Sequence, residues 1–452
     1  MAWTHLLPPE ARLEVRGLPP ELERTLGPWI GPAADTLVCW DTLPSRLGAL
    51  ERYRTVVLAR PRGGSAAVLD ASGFAHVRSF TVLPDLWRAR WYLPLATRKV
   101  TARAWDLYSP STPWGRATRL GAKLLTRSVG PLGLGDRLVM ASRTWSALDA
   151  ALAEAVGRRD FELAIGLPHA HGQRGRIWLL AIDRSGHDLA YAKFAYHQQS
   201  IGQLEREAAF TRQVTGLALR TAFVPRVLYA GRVGDGYLLV TTSLGKTSPS
   251  STTLDARHLA VLTELGAHQA ESTTGDLARL LGERCALLAG DLPAEWARRL
   301  ARATEAVVSA EALRDTPTTL AHGDFVPWNM RRLPDDSRLA LFDWEQGQEC
   351  QFALWDAFNF LAQVDIVLRR IPAEQSVQAA LKLVGASPLA SELRLAPPQV
   401  LALYLAYLAD SSARWFESHL RSTWQLEIPR TRTQPMKAAM LDAVLDHGGI
   451  AP

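Results

Sequence analysis

Residues 320–346 read LAHGDFVPWNMRRLPDDSRLALFDWEQ, and at their centre His322, Asp324 and Asn329 stand in a run that is otherwise glycine and bulky apolar residues. Asp324 and Asn329 are five residues apart, and Asp343 follows Asp324 by nineteen. Aspartate and asparagine are common in turns, where their side chains bond the nearby backbone, so a capped turn is the plain alternative. Yet oxygen-bearing side chains near the ends of short apolar strands are also what a hard divalent cation such as magnesium requires. On that reading the apolar residues anchor a rigid loop and leave the polar side chains facing a cleft.

Working outward, the preceding chain is patterned in a definite order. FELAIGL, RIWLLAID and LAYAKFAY read as strands with turns at Gly172–Gly175 and Arg184–Asp188, followed by a helix from an N-cap at Ser200 to a stop at Gly216. Two further strands, VPRVLYAGRV and GYLLVTTSL, are joined by the turn at Gly234–Gly236. From about 254 onward the texture is helical, interrupted by a strand pair, TTLAHGD with RLALFDW. Phosphoryl transfer from a nucleotide needs a cation on the phosphates, a group that orients it, magnesium ligands and a carboxylate for the acceptor hydroxyl. Lys193, at the end of LAYAKF, and Glu207, in the following helix, supply the first two; Glu205 lies on a different helix face and competes with Glu207.

HGDFVPWN matches the HGDxxxxN catalytic loop of the aminoglycoside phosphotransferase and choline kinase group, and FDWE stands where that group carries an aspartate closing a hairpin. Residues from about 155 to 450 resemble this family. The resemblance implies an α+β, bilobal protein-kinase-like fold, with a small antiparallel-sheet N-lobe at 155–245 and a mainly helical C-lobe at 246–452. It implies Asp324 as the catalytic carboxylate, Asn329 and Asp343 as magnesium ligands, and Glu345 as a further ligand or a solvated acid. It implies Lys193 on the nucleotide phosphates with Glu207 positioning it, His322 bracing the loop, and Asp356 as a structural residue at the start of the next helix. The cofactors implied are ATP or GTP with Mg2+. The glycines of IGLPHAHGQRGR do not form the GxGxxG of protein kinases, and His169 and His171 lack a third metal ligand. YLLVTTSLG, 237–245, is expected as the hinge that reads the base.

The family's aminoglycoside-binding members line their acceptor pocket with carboxylates. The helices after Trp355 offer few acids beyond Asp365, Asp410 and Glu417, and they include Arg369, Arg370 and Arg414. The expected acceptor is therefore a small neutral or anionic hydroxylated molecule, such as a sugar or glycolipid precursor of envelope polysaccharide. The alternative is a pseudokinase scaffold that binds nucleotide while the N-terminal part binds an anionic partner.

Residues 1–150 read as a small α/β domain, from the β-branched runs TLVCW, RTVVLA and HVRSFTVLP with a helix expected around Leu47–Tyr53. They hold 20 Lys and Arg against 12 Asp and Glu, whereas the remainder holds 31 against 33. The basic excess thus lies in the first third. There Arg116, Arg119, Lys123 and Arg127 recur at helical spacing around Leu120, Leu124 and Leu125. Such a helix suits either a domain surface or contact with an anionic ligand or membrane, and nucleic acid is not expected as a partner. The three cysteines, Cys39, Cys285 and Cys350, build neither a disulfide framework nor a closed zinc site. MAWTHLLPPEARLEVRG lacks a signal pattern and no run of about 18 apolar residues occurs, so a cytoplasmic location is expected.

Overall fold

The β-branched runs of the first 150 residues suit a pleated, half-buried surface, and they form strands at Thr36–Trp40, Thr55–Ala59 and His76–Leu83. The structure is a computed structural model that describes residues 11–31, 33–44, 47–61, 64–107, 113–130, 135–167, 176–334, 336–421 and 432–447. Two compact units emerge: residues 1–212 with 225–245, and residues 213–224 with 246–452.

In the first unit the described strands form one continuous sheet. Its spatial order is Leu13–Arg16, Thr36–Trp40, Thr55–Ala59, Asp136–Ser142, His76–Leu83, Trp91–Pro94, Phe161–Gly166, Arg176–Asp183, Asp188–Ala195, Gly236–Thr242 and Val227–Val233. The first three run parallel and the rest pair antiparallel. The sheet has no break near residue 150, where the sequence suggested a separate domain. Trp91 pairs with Gly166 and Tyr92 with Ile165, so the first 150 residues share a sheet with the strands beyond residue 160. The reason is physical: Tyr92, Leu93, Leu163, Ala164 and Ile165 are all buried, and two such apolar strands left as open edges would each expose a row of unpaired backbone groups. One buried cluster runs from Leu13 through Phe80, Tyr92 and Ile165 to Val240.

Two local expectations change. The helix expected around Leu47–Tyr53 is a single 3-10 turn, Leu47–Leu50; Gly48 is a weak helix former, and Tyr53 is drawn into a core with Leu50 and Val56. The helix expected to begin at Ser200 spans Gln198–Gly216. Ile201 N–H already bonds the His197 carbonyl at 2.8 Å, which leaves Ser200 buried inside the first turn rather than capping it.

The second unit is mainly helical, with helices at Ala256–Gly266, Thr274–Leu288, Ala294–Ser309, Trp355–Gln363, Ala373–Gly385, Pro397–Arg421 and Thr433–His447. Residues 402–409 of Pro397–Arg421, ALYLAYLA, are buried on every side, as a helix segment apolar around its circumference should be. TTLAHGD and RLALFDW, expected to pair, lie in different small sheets. Pro317–Ala321 pairs with Gln269–Thr273 and Gln348–Phe352, whereas Leu339–Leu341 pairs with Met330–Arg332 and Ala222–Phe223. Met330–Arg332 directly follows the HGD loop and folds back as a hairpin, so the nearer partner takes the edge of Leu339–Leu341 at a lower loop-closure cost. The fold class is α+β, as the sequence indicated. No helix among the described residues is long and apolar enough to cross a membrane.

Candidate functional site

Within the second unit, the strand Pro317–Ala321 ends at His322 and the chain turns through Gly323 into the loop 324–329. Phe325, Val326 and Pro327 are buried, and they act as the anchor that holds the polar positions in place. Asp356, at the start of the helix Trp355–Gln363, receives the His322 N–H at 2.6 Å, the Gly323 N–H at 3.0 Å and the Phe325 N–H. A carboxylate at a helix N-terminus thus ties three donors of the turn. Burial is the leading influence on Asp356 and pushes its pKa up to about 7, against the pull of those donors.

His322 is fully buried and joins two segments. Its Nε2 lies 3.1 Å from the Phe342 carbonyl, and Asp324 N–H points at its Nδ1 at 3.3 Å. A carbonyl can only accept, so Nε2 carries the proton and Nδ1 is the acceptor. The ring also lies against Trp344, with centroids 4.3 Å apart. The loop holding Asp324 and the turn holding Asp343 and Glu345 are therefore held together by one imidazole.

Asn329 Nδ2 donates to Asp324 Oδ2 at 2.7 Å and to the Asp324 carbonyl at 3.1 Å. Asp343, at the end of the hairpin strand Leu339–Leu341, takes a left-handed φ of 71° and precedes a 3-10 turn, Trp344–Gln346, that carries Glu345. Asp343 and Glu345 are half-buried, as is Asp324, which keeps an opening to solvent while protein atoms crowd the rest of it. Burial, then the charge of Asp343 and that of Glu345, push the Asp324 pKa up to about 7, while hydrogen bonds from Asn329 and Asn359 hold it down. The group is a concentration of oxygen donors whose mutual repulsion a cation would relieve.

In the first unit, Lys193 sits in the strand Asp188–Ala195 between Trp178 and Leu239 of its neighbours. Its Nζ donates to Glu207 Oε1 at 2.6 Å, and both side chains are buried. Glu205 is exposed and lies 3.6 Å from Arg232 instead, so the geometry chooses between the two glutamates. A buried ion pair is retained only where partner and hydrogen bonds offset desolvation, which makes this lysine a fixed charge on a strand third from one end of the sheet.

Sequence reasoning did not single out Asn359. It lies one turn after Asp356 on the same helix face, buried; its Oδ1 accepts the Tyr407 hydroxyl at 3.3 Å and its amide bonds the Asp324 carboxylate. The i, i+3 spacing of Asp356 and Asn359 in LWDAFNFL was the available signal. The loop residues His169, His171, Gly172, Arg174 and Gly175 lie outside the described residues.

Residues 166–348 match the model of the phosphotransferase enzyme family. No curated protein matches the chain. Among solved structures, similarity extends to the GDP and kanamycin complex of APH(2")-IIia, at 12% identity over 67% of this chain and 99% of that one, with a TM-score of 0.42. It also extends to macrolide 2'-phosphotransferase MphH from Brachybacterium faecium, at 17% identity over 62% and 92%, TM-score 0.41. Aminoglycoside phosphotransferase APH(3'')-Id from Streptomyces rimosus gives 19% over 58% and 96%, TM-score 0.36. The stretch matched by the phosphotransferase enzyme family model contains Lys193, Glu207, Asp324, Asn329, Asp343 and Glu345.

Proposed function

We propose that this chain transfers the γ-phosphoryl group of ATP or GTP, with magnesium, to a hydroxyl of a small molecule that is neutral or anionic, such as a sugar or glycolipid precursor. The observation that carries the reading is Asp324: a carboxylate oriented by Asn329 at 2.7 Å beside two further acids, Asp343 and Glu345. In this reading Asp324 orients the acceptor hydroxyl and takes its proton as the new oxygen–phosphorus bond forms. The bond from the γ-phosphorus to its bridging oxygen breaks, and the nucleoside diphosphate leaves.

Asn329, Asp343 and Glu345 suit a hard cation: all three offer oxygen and are at least partly buried, and the two acids repel the charge of Asp324. When bound there, magnesium would neutralise charge on the phosphate oxygens. Lys193, held by Glu207, would contact the phosphates. Asp324 stays in register because Asn329 and Asn359 both donate to it, and Asp356 fixes the turn that presents it.

The acids of the helical segment after Trp355 support an acceptor that is not a polycation. Asp410 is buried and bonded to Arg284 and Arg414, each at 2.7 Å. Asp365 receives Ser376 at 2.7 Å and lies 3.3 Å from Arg369, and Glu417 lies 3.6 Å from Arg284. These carboxylates already have cationic or hydroxyl partners. Transfer of labelled phosphate from ATP or GTP to a panel of sugars, alcohols and host extracts tests the reading. Asp324→Ala should lower turnover by about 100-fold or more; full activity in that variant would end the proposal.

A further inference from the structure

We propose that the helix Pro113–Val129 is a docking element for an anionic membrane surface, a role separate from phosphoryl transfer and independent of it. Among the described residues, one side of the helix is tied to its own unit. Thr126 is fully buried and receives the Trp105 indole N–H at 3.1 Å. Lys123 Nζ reaches Asp106 at 2.6 Å, and the Arg98 guanidinium donates to the Ser128 carbonyl at 2.8 Å. The other side is apolar and in water: Trp114 is 82% exposed, Leu120 57%, Leu124 56%, Leu125 48% and Val129 48%. At 100° per residue these five positions fall within one half of the helix circumference. An apolar surface of this extent on a folded chain marks a contact site rather than scattered exposure.

The charge on the helix identifies what it contacts. PWGRATRLGAKLLTRSV holds four cations and no carboxylate, and at 100° per residue Arg119, Lys123 and Arg127 fall beside the apolar half. Arg127 is exposed at the C-terminal end, with exposed Arg98 beside it. A second copy of this chain docking face to face would bring basic flanks against basic flanks, which is repulsive. A surface that presents negative headgroups above an acyl interior satisfies both halves at once: aliphatic side chains and a tryptophan enter the boundary while arginine meets phosphate. The net basic excess of residues 1–150, 20 cations against 12 acids, adds a field of the same sign.

The test is co-sedimentation of the full-length protein with vesicles of phosphatidylcholine alone and of phosphatidylcholine with about one-third phosphatidylglycerol. Binding should require the anionic lipid and weaken with salt. Arg127→Gln, which leaves the apolar half intact, should weaken partition about fivefold. Leu120→Gln with Leu124→Gln should abolish it without lowering the melting temperature, since both side chains are exposed. Failure to bind anionic vesicles, or equal binding by the double variant, overturns the proposal. So does a concentration-dependent dimer that the double variant disrupts, which would assign the face to a second copy of the chain.

Discussion

A Cβ placed on Gly323 would stand 2.0 Å from the carbonyl oxygen of Gln346, and Gly323 has a φ of 78°. The segment carrying Asp324 and the one carrying Asp343 and Glu345 therefore meet backbone to backbone, at a point where no side chain fits. Gly323→Ala should cost about 1–2 kcal/mol for the left-handed conformation alone, with the clash in addition. A lower melting temperature together with a large fall in turnover is expected; a variant that melts and works like the parent would refute the account of this turn.

Asp356 should be harder to replace than a surface acid. With three backbone donors directed at it, Asp356→Ala leaves them buried and unpaired, at about 1–3 kcal/mol each. Asp356→Asn keeps an acceptor oxygen and should fall between the parent and the alanine variant in thermal unfolding. Equal melting temperatures for all three would remove Asp356 from its bracing role.

Lys193 and Glu207 should behave as a unit. Breaking a buried pair from one side costs about 3–5 kcal/mol because a charge is left stranded, so Lys193→Met and Glu207→Gln should each destabilise the protein by about that much. The double variant should cost clearly less than the two together. Additive losses in urea unfolding would mean that the 2.6 Å contact carries no coupling.

Lys437 supplies a pH dependence. Its side chain is buried, with Nζ on Ser411 at 2.9 Å and above the Tyr407 ring. Burial lowers its pKa from 10.5 to about 8, against the attraction of Asp410 and Asp324. Between about pH 8 and 10.5 the unfolded chain keeps a proton that the folded chain has released, so this residue's contribution to stability rises with pH across that window. Below pH 8 the folded state bears the cost of a charged, buried amine. Lys437→Met should therefore be at its most favourable relative to the parent near pH 7 and lose that advantage toward pH 10, read as the difference in melting temperature. A difference that stays flat with pH would show that the lysine does not titrate in this range.

The site was more legible in the sequence than the architecture around it. Asp324, Asn329 and Asp343 lie within twenty residues, and part of the backbone bonding that shapes their loop is local, such as Asn329 N–H to the Val326 carbonyl. Their spacing therefore carries their geometry. Asn359 escaped notice because its partners, Asp324 and Tyr407, are 35 and 48 positions away, and nothing in a helix sequence states which turn it will face. The two glutamates of LEREAAF illustrate the same limit: their types are equal, and only the burial of one helix face beside Lys193 separates them.

Taken alone, the amino-acid sequence determined the α+β class, the order of the longer strands and the helix between residues 161 and 242, and the loop motif that lies in the family match, because alternation, helical spacing and loop motifs are properties of neighbouring residues. Tertiary structure decided that the basic first third joins the sheet of the later strands, through Trp91–Gly166 and Tyr92–Ile165. It also decided that TTLAHGD and RLALFDW belong to different sheets. Strand pairing depends on which edges remain open once nearer partners have been taken, and that competition is settled only when the whole chain has folded.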